Sequence, residues 1–278
     1  MDSLNQALLR LHLHRYNKIP FYLSGLVALL QFITALTGII FAKTIYPASI
    51  RATFVGNDYA NLLFGEVTLI ISLFLVYRSS LLGLYGLLAS LFYTLYAYFA
   101  YLIAVPFGYT FLLYLLLVTI SLYTLIMLIS IVDPQEMFNR LDGKIRSKLL
   151  GGILIVLGIF ILLRELGLIF SNLSQATVVD EAEVLAVWID DFLFAVPALL
   201  LCGILLWKKL DIGYLLAPAL FLSYALLSLA LLPIIIAQNV EDHQVLDIPT
   251  IIVLAIMFAL CFFPYLSVIN KIKSSEPT

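Results

Sequence analysis

Glu66, Arg164, Glu165, Asp190 and Asp191 stand in or at the ends of stretches otherwise built from leucine, isoleucine, phenylalanine and valine. An ionisable group inside an apolar membrane segment costs about 2.5–3.5 kcal/mol at the segment centre on insertion scales. It is kept by an opposite charge, by a water-filled cavity, or by a proton. Two residues of an acidic loop, His243 and Asp247, extend the set. Histidine with carboxylates is a chemically reasonable ligand set for a divalent cation. The spacing here matches no metal motif, however, so no metal is expected, and the set reads as an outward-facing acidic cavity for a small molecule or cation.

Depth along the chain refines this picture. Glu66 is 12 residues from Arg78, about 18 Å at 1.5 Å per helical residue. Arg164 is 15 residues from Leu149, about 22 Å by the same rise. Both fall in the same half of a hydrocarbon layer about 30 Å thick, at depths that allow an ion pair. Two plainer readings stand beside it. Arg164 and Glu165 reach the headgroups by snorkelling, and Asp190 and Asp191 cap the start of a helix.

Eight apolar stretches carry these residues, at 21–43, 61–78, 81–104, 109–131, 149–168, 190–207, 212–236 and 248–269. The chain of 278 residues is 63% hydrophobic and 12% charged, against about 25% charged in soluble domains. Continuous apolar runs of this length predict helices, because strands of a membrane barrel alternate in segments of about 10 residues. The fold class is therefore all-α, a polytopic transmembrane bundle of eight helices with the lipid bilayer as its partner. Placing the N-terminus in the cytoplasm puts 12 of 15 Lys+Arg on the cytoplasmic side and 11 of 17 Asp+Glu on or near the other. That is the positive-inside pattern, and it predicts a cell (inner) membrane protein with both termini cytoplasmic.

The loop 132–148, with Arg140, Lys144, Arg146 and Lys148, divides the chain into halves 1–131 and 149–278. An offset of 130 lays Leu63, Phe64, Leu69, Leu75 and Gly83 over Leu193, Phe194, Leu199, Leu205 and Gly213. Each half has four helices starting on the same side, so the pattern reads as two parallel four-helix repeats. The third stretch holds Tyr85, Tyr93, Tyr96, Tyr98 and Tyr101 among Gly83, Gly86 and Ser90. It reads either as a close-packing helix or as the wall of a polar cavity. Pro197, Pro218, Pro233 and Pro264 make the second half the place for bends.

Residues 56–101 and 187–220, about a third of the chain, resemble segments of a family of polytopic bacterial membrane proteins without an established activity. The likeness runs through Gly56-Asn57-Asp58, an apolar helix, the turn at Arg78 and the tyrosine-rich helix. It continues in Asp191, Pro197, Lys208-Lys209 and Gly213-Tyr214-Leu215-Leu216-Ala217-Pro218. Ser79 and Glu66 depart from it, where the family has glycine after the arginine and tends to have proline. The resemblance implies topology and a bacterial source, and no activity.

Net charge is −2, which gives nucleic acid no electrostatic footprint. Cys202 and Cys261 lie mid-helix as small apolar groups. HExxH, Walker lysine loops, GxSxG and CxxCH are absent, so no cofactor is expected. Three classes stay open: a transporter-like or small-ligand-binding bundle, a non-catalytic membrane scaffold or regulator, and an enzyme on a lipid-linked substrate. The topology has a direct check. Ser275→Cys, on a background lacking Cys202 and Cys261, is expected to resist impermeant thiol reagents in intact cells; labelling from outside overturns the assignment.

Overall fold

The structure, a computed structural model, describes residues 18–174, 182–241 and 248–273. His243 and Asp247 lie outside the described residues, as does the leucine-bearing stretch at residues 4–16. Among the described residues eight helices are long and apolar enough to cross a membrane. They are α1 Ile19–Ile40, α2 Ala48–Tyr77, α3 Leu81–Ala104, α4 Phe111–Ile131, α5 Ser147–Ser174, α6 Val184–Trp207, α7 Asp211–Glu241 and α8 Ile248–Ile272. The chain is an all-α bundle of multi-pass membrane type.

Several helices run further than hydropathy alone predicts. Residues 44–60 read as a loop, yet α2 begins at Ala48. Along its first part Ile50, Phe54 and Asp58 are buried on one face and Gly56 and Ala60 on another, so neighbouring helices enclose a stretch of low hydropathy. Pro218 and Pro233 sit inside α7 without ending it, since neighbouring helices tolerate the lost backbone bond.

At the centre lie α3 and α7. Leu84, Tyr85, Leu87, Leu88, Ala89 and Leu91 are all buried along α3, as expected of a helix surrounded on every side. The Tyr85 hydroxyl donates to the Tyr214 carbonyl at 3.3 Å, and Ser223 Oγ donates to the Ala89 carbonyl at 2.9 Å. The first part of α2 leans on α7, where a Cβ on Gly56 would lie 2.8 Å from the Pro233 carbonyl oxygen. The start of α6 leans on α3, with Phe99 and Phe194 edge to face at 5.0 Å. Around this core, α1 packs on α2 and α4, α5 on α6, α4 on α3 and α8 on α7. The α5–α6 crossing is close because glycines face each other: a Cβ on Gly151 would lie 2.6 Å from the Gly203 carbonyl.

The α2–α3 and α6–α7 hairpins are built alike. Among the described residues Ser79 (φ 64°) and Lys209 (φ 59°), 130 positions apart, are the non-glycine residues in the left-handed region. Ser80 N donates to the Leu75 carbonyl at 3.0 Å and Leu210 N to the Leu205 carbonyl at 2.9 Å. Ser79 N donates to Val76 at 2.8 Å and Lys209 N to Leu206 at 3.0 Å. These bonds close the last helical carbonyls in the way left-handed C-caps do. Gly83 and Gly213 then allow the return helix to approach; a Cβ there would lie 2.7 Å from Leu75 C and 2.8 Å from Leu205 C. Higher up, α2 and α6 each contain a π turn, Asn61–Glu66 and Asp191–Ala195, again starting 130 residues apart.

At the basic end a short helix, Pro134–Leu141, is capped by Asp133, whose Oδ1 accepts from Gln135 N at 3.0 Å. Asp142 accepts from the Tyr214 hydroxyl at 2.7 Å and from Lys209 Nζ at 3.0 Å. The Tyr214 hydrogen bond first, then Lys209, hold its carboxyl below the usual carboxylate range. A lowered folded value adds stability above the unfolded value, about 3.9, and loses it as pH falls through the folded one. Asp142→Asn is therefore expected to unfold at a lower temperature than the wild type at pH 7. The gap should close below about pH 4, as read by thermal unfolding in detergent; a gap that is independent of pH would contradict the assignment.

Candidate functional site

Two groups of buried polar side chains occupy the half of the bundle away from the basic turns. The first joins α1, α2, α3 and the segment before α2. Asp58 is fully buried. Its Oδ2 accepts from the Tyr46 hydroxyl at 2.8 Å and its Oδ1 from the Tyr101 hydroxyl at 2.8 Å. Asn61, one turn on, lies at the start of the π turn; Asn61 Nδ2 donates to the Tyr101 oxygen at 3.4 Å, and Asn61 Oδ1 accepts from the Tyr93 hydroxyl at 3.1 Å. Gln31 Nε2 donates to the Asn61 carbonyl at 3.1 Å, and Thr94 Oγ1 donates to Gln31 Oε1 at 2.6 Å. A π turn shifts the backbone bonding by one residue, so carbonyls there take side-chain donors. The Asn61 carbonyl does this with Gln31.

Glycines make room for this group. A Cβ on Gly38 would overlap Asp58 Oδ2 and the Tyr46 hydroxyl, and one on Gly65 would lie 2.8 Å from Gln31 Nε2. Glu66 closes the π turn beside this group and is buried. Its Oε2 has no hydrogen-bond partner, and neither does the Tyr114 hydroxyl.

The second group joins α3, α5, α6 and α7. Glu165, Asp190 and Asp191 are buried at 1%, 0% and 5% exposure. The Tyr96 hydroxyl donates to Asp191 Oδ1 at 2.8 Å. Glu165 faces Asp191, and two carboxyls hydrogen-bond only if one holds a proton. Glu165 Oε1 accepts from Arg164. Four atoms here have no partner: Glu165 Oε2, both oxygens of Asp190, and the Tyr224 hydroxyl. The π turn beneath Asp191 has a visible cause. Pro197 has no N–H and its ring conflicts with the carbonyl four residues back, Leu193; the wider turn Asp191–Ala195 absorbs that.

The expected site residues thus divide. Glu165, Asp190 and Asp191 come together, while Glu66 belongs to the first group. Arg164 does not pair with Glu66: it is 53% exposed and bound to the adjacent Glu165, which points inward in its place. Depth alone permits the pair, but α5 turns its arginine outward and packs on α6 rather than α2. Asp190 and Asp191 make no side-chain cap, since α6 begins at Val184 and places them inside the helix. Among the described residues no three His, Cys, Asp or Glu side chains are arranged to hold a metal.

Asp58, Asn61 and Gln31 are buried polar residues that hydropathy passes over; Asp58 and Asn61 meet Tyr93 and Tyr101 of the tyrosine-rich helix. Asp58 and Asn61 at i, i+3 were the available signal, hidden by the assignment of 44–60 to a loop. Comparison with known proteins returns no match: no family model fits the chain, and no curated protein and no solved structure matches it.

The two groups predict opposite responses to substitution. Tyr101→Phe removes a donor from a buried carboxyl and is expected to cost about 1.5–3 kcal/mol. Gly38→Ala forces Asp58 and Tyr46 apart and should lower the unfolding temperature at least as far. Unchanged thermal stability of both variants in detergent would show that the Asp58 group does not hold the first half together.

Proposed function

We propose that the protein is a transporter-like, cation-binding membrane bundle whose binding site is the Glu165–Asp190–Asp191 group. The observation that carries this reading is the set of four partnerless buried atoms on Glu165, Asp190 and Tyr224, residues of one interacting group. Leaving a buried polar group unsatisfied costs about 1–3 kcal/mol, and more if it is charged. Asp58 shows that this chain can supply a donor to each oxygen of a buried carboxyl, and Asp190 receives none. The second group contains three carboxyls against one guanidinium, and that guanidinium is mostly exposed. A positively charged ligand would complete it.

The matched architecture supports the same reading. Equivalent hairpins and π turns 130 residues apart fit two parallel four-helix repeats, 1–131 and 149–278, joined by 132–148. The repeats would be related by an axis along the membrane normal. Under this relation Asn61 and Asp191 are counterparts, each receiving a tyrosine hydroxyl from α3. The neutral amide is locked into a network; Asp191 has, besides its tyrosine, a carboxyl neighbour, Glu165, and the adjacent Asp190 has no partner for either oxygen. In the orientation set by the basic residues, both termini are cytoplasmic and the site lies in the outer half of the cell membrane. The test uses the purified full chain in detergent. Asp190→Leu, which removes two unsatisfied oxygens, is expected to leave the unliganded protein as stable as the wild type or more so. Stabilisation of the wild type by added cations, inorganic or organic, is expected to vanish in this variant. A wild type that responds to no cation, or an Asp190→Leu protein destabilised as Tyr101→Phe is, overturns the proposal.

A further inference from the structure

We infer that the ligand of this second group is a small organic cation carrying N–H donors, an amine or guanidine, rather than an inorganic ion. The inference rests on the cation-binding reading above. Three of the partnerless atoms are carboxyl oxygens, of Asp190 and Glu165. Oxygens that lack hydrogen bonds are completed by donors. A bare metal ion instead needs several oxygens gathered around one point, and the carboxyls are not arranged that way.

The aromatic residues supply a second, independent line. Tyr224 is 7% exposed, its hydroxyl has no partner, and it lies beside Asp191. Its ring sits 6.1 Å from that of Phe92. Phe99 and Phe194, within one turn of Tyr96 and Asp191, meet edge to face at 5.0 Å. Carboxyl oxygens beside aromatic rings match a ligand whose N–H groups bind the oxygens and whose cationic or alkyl face lies on the rings. Arg164 does not fill this role, because its guanidinium is bound to Glu165 on the exposed side. A shared proton between Glu165 and Asp191 would join those two but leave both Asp190 oxygens bare.

The same ammonium chemistry has two sources, a soluble amine or the head group of an amine-bearing phospholipid. The experiment separates them. The full chain in detergent is titrated with ethylammonium, guanidinium, tetramethylammonium, sodium and potassium, reading the unfolding temperature and heats of binding. In parallel, it is placed in phosphatidylglycerol nanodiscs with and without phosphatidylethanolamine. Ethylammonium or guanidinium is expected to raise the unfolding temperature. Tetramethylammonium, equal in charge but without N–H donors, should bind about tenfold more weakly or worse. Tyr224→Phe keeps the ring and is expected to weaken ethylammonium binding severalfold without lowering the unliganded unfolding temperature. Stabilisation by phosphatidylethanolamine alone assigns the lipid head group; stabilisation by ethylammonium alone assigns a soluble amine. Equal binding of tetramethylammonium, or a response confined to sodium and potassium, overturns this inference while the cation-binding reading stands. No response to any of these ions or to the lipid overturns both.

Discussion

A carboxyl inside a membrane helix has no water to fall back on, and its hydrogen bonds must come from other helices. That requirement organises this bundle. Asp58 obtains a donor for each oxygen from Tyr46 and Tyr101, and both tyrosines pack on Phe54, Tyr46 stacked at 5.7 Å and Tyr101 edge to face at 4.6 Å between ring centroids. The helices α1, α2 and α3 are thereby tied together by polar contacts that apolar packing in lipid would not specify, because lipid tails are as apolar as leucine. Gly38 and Gly65 follow from the same demand, since the backbone of one helix must come within reach of the side chains of another.

The central helix α3 serves both halves. Tyr93 meets Asn61, and three residues later, about 60° round the same helix, Tyr96 meets Asp191. Both partners open π turns, where the extra residue per turn rotates the preceding side chains relative to those that follow. The similarity ends at chemistry. One position has an amide with donor and acceptor both engaged; the other has a carboxylate with a second carboxylate facing it and a third, Asp190, bearing no partner at all. The two π turns are thus alike in backbone and differ in how the side chains that open them are partnered.

What the amino-acid sequence determined by itself is the set of crossings and their sorting by charge. Twenty or so apolar residues must span a layer of about 30 Å as a helix, so the eight segments and the basic turns at Arg78 and Lys208 are local facts. That Glu165, Asp190 and Asp191 are candidates is legible for the same reason, since carboxyls among leucines are costly wherever the helices go; their burial, against snorkelling and helix capping, is not. Tertiary structure decided the remainder. Whether Arg164 or Glu165 faces inward depends on the rotation of α5, which the Gly151–Gly203 crossing sets. Asp58 passed for a loop residue because the first part of α2 is stabilised by α7 and α1, not by its own hydropathy. Gln31, Thr94 and Asn61 are far apart in the chain and ordinary in type; only the approach of three helices makes them one network.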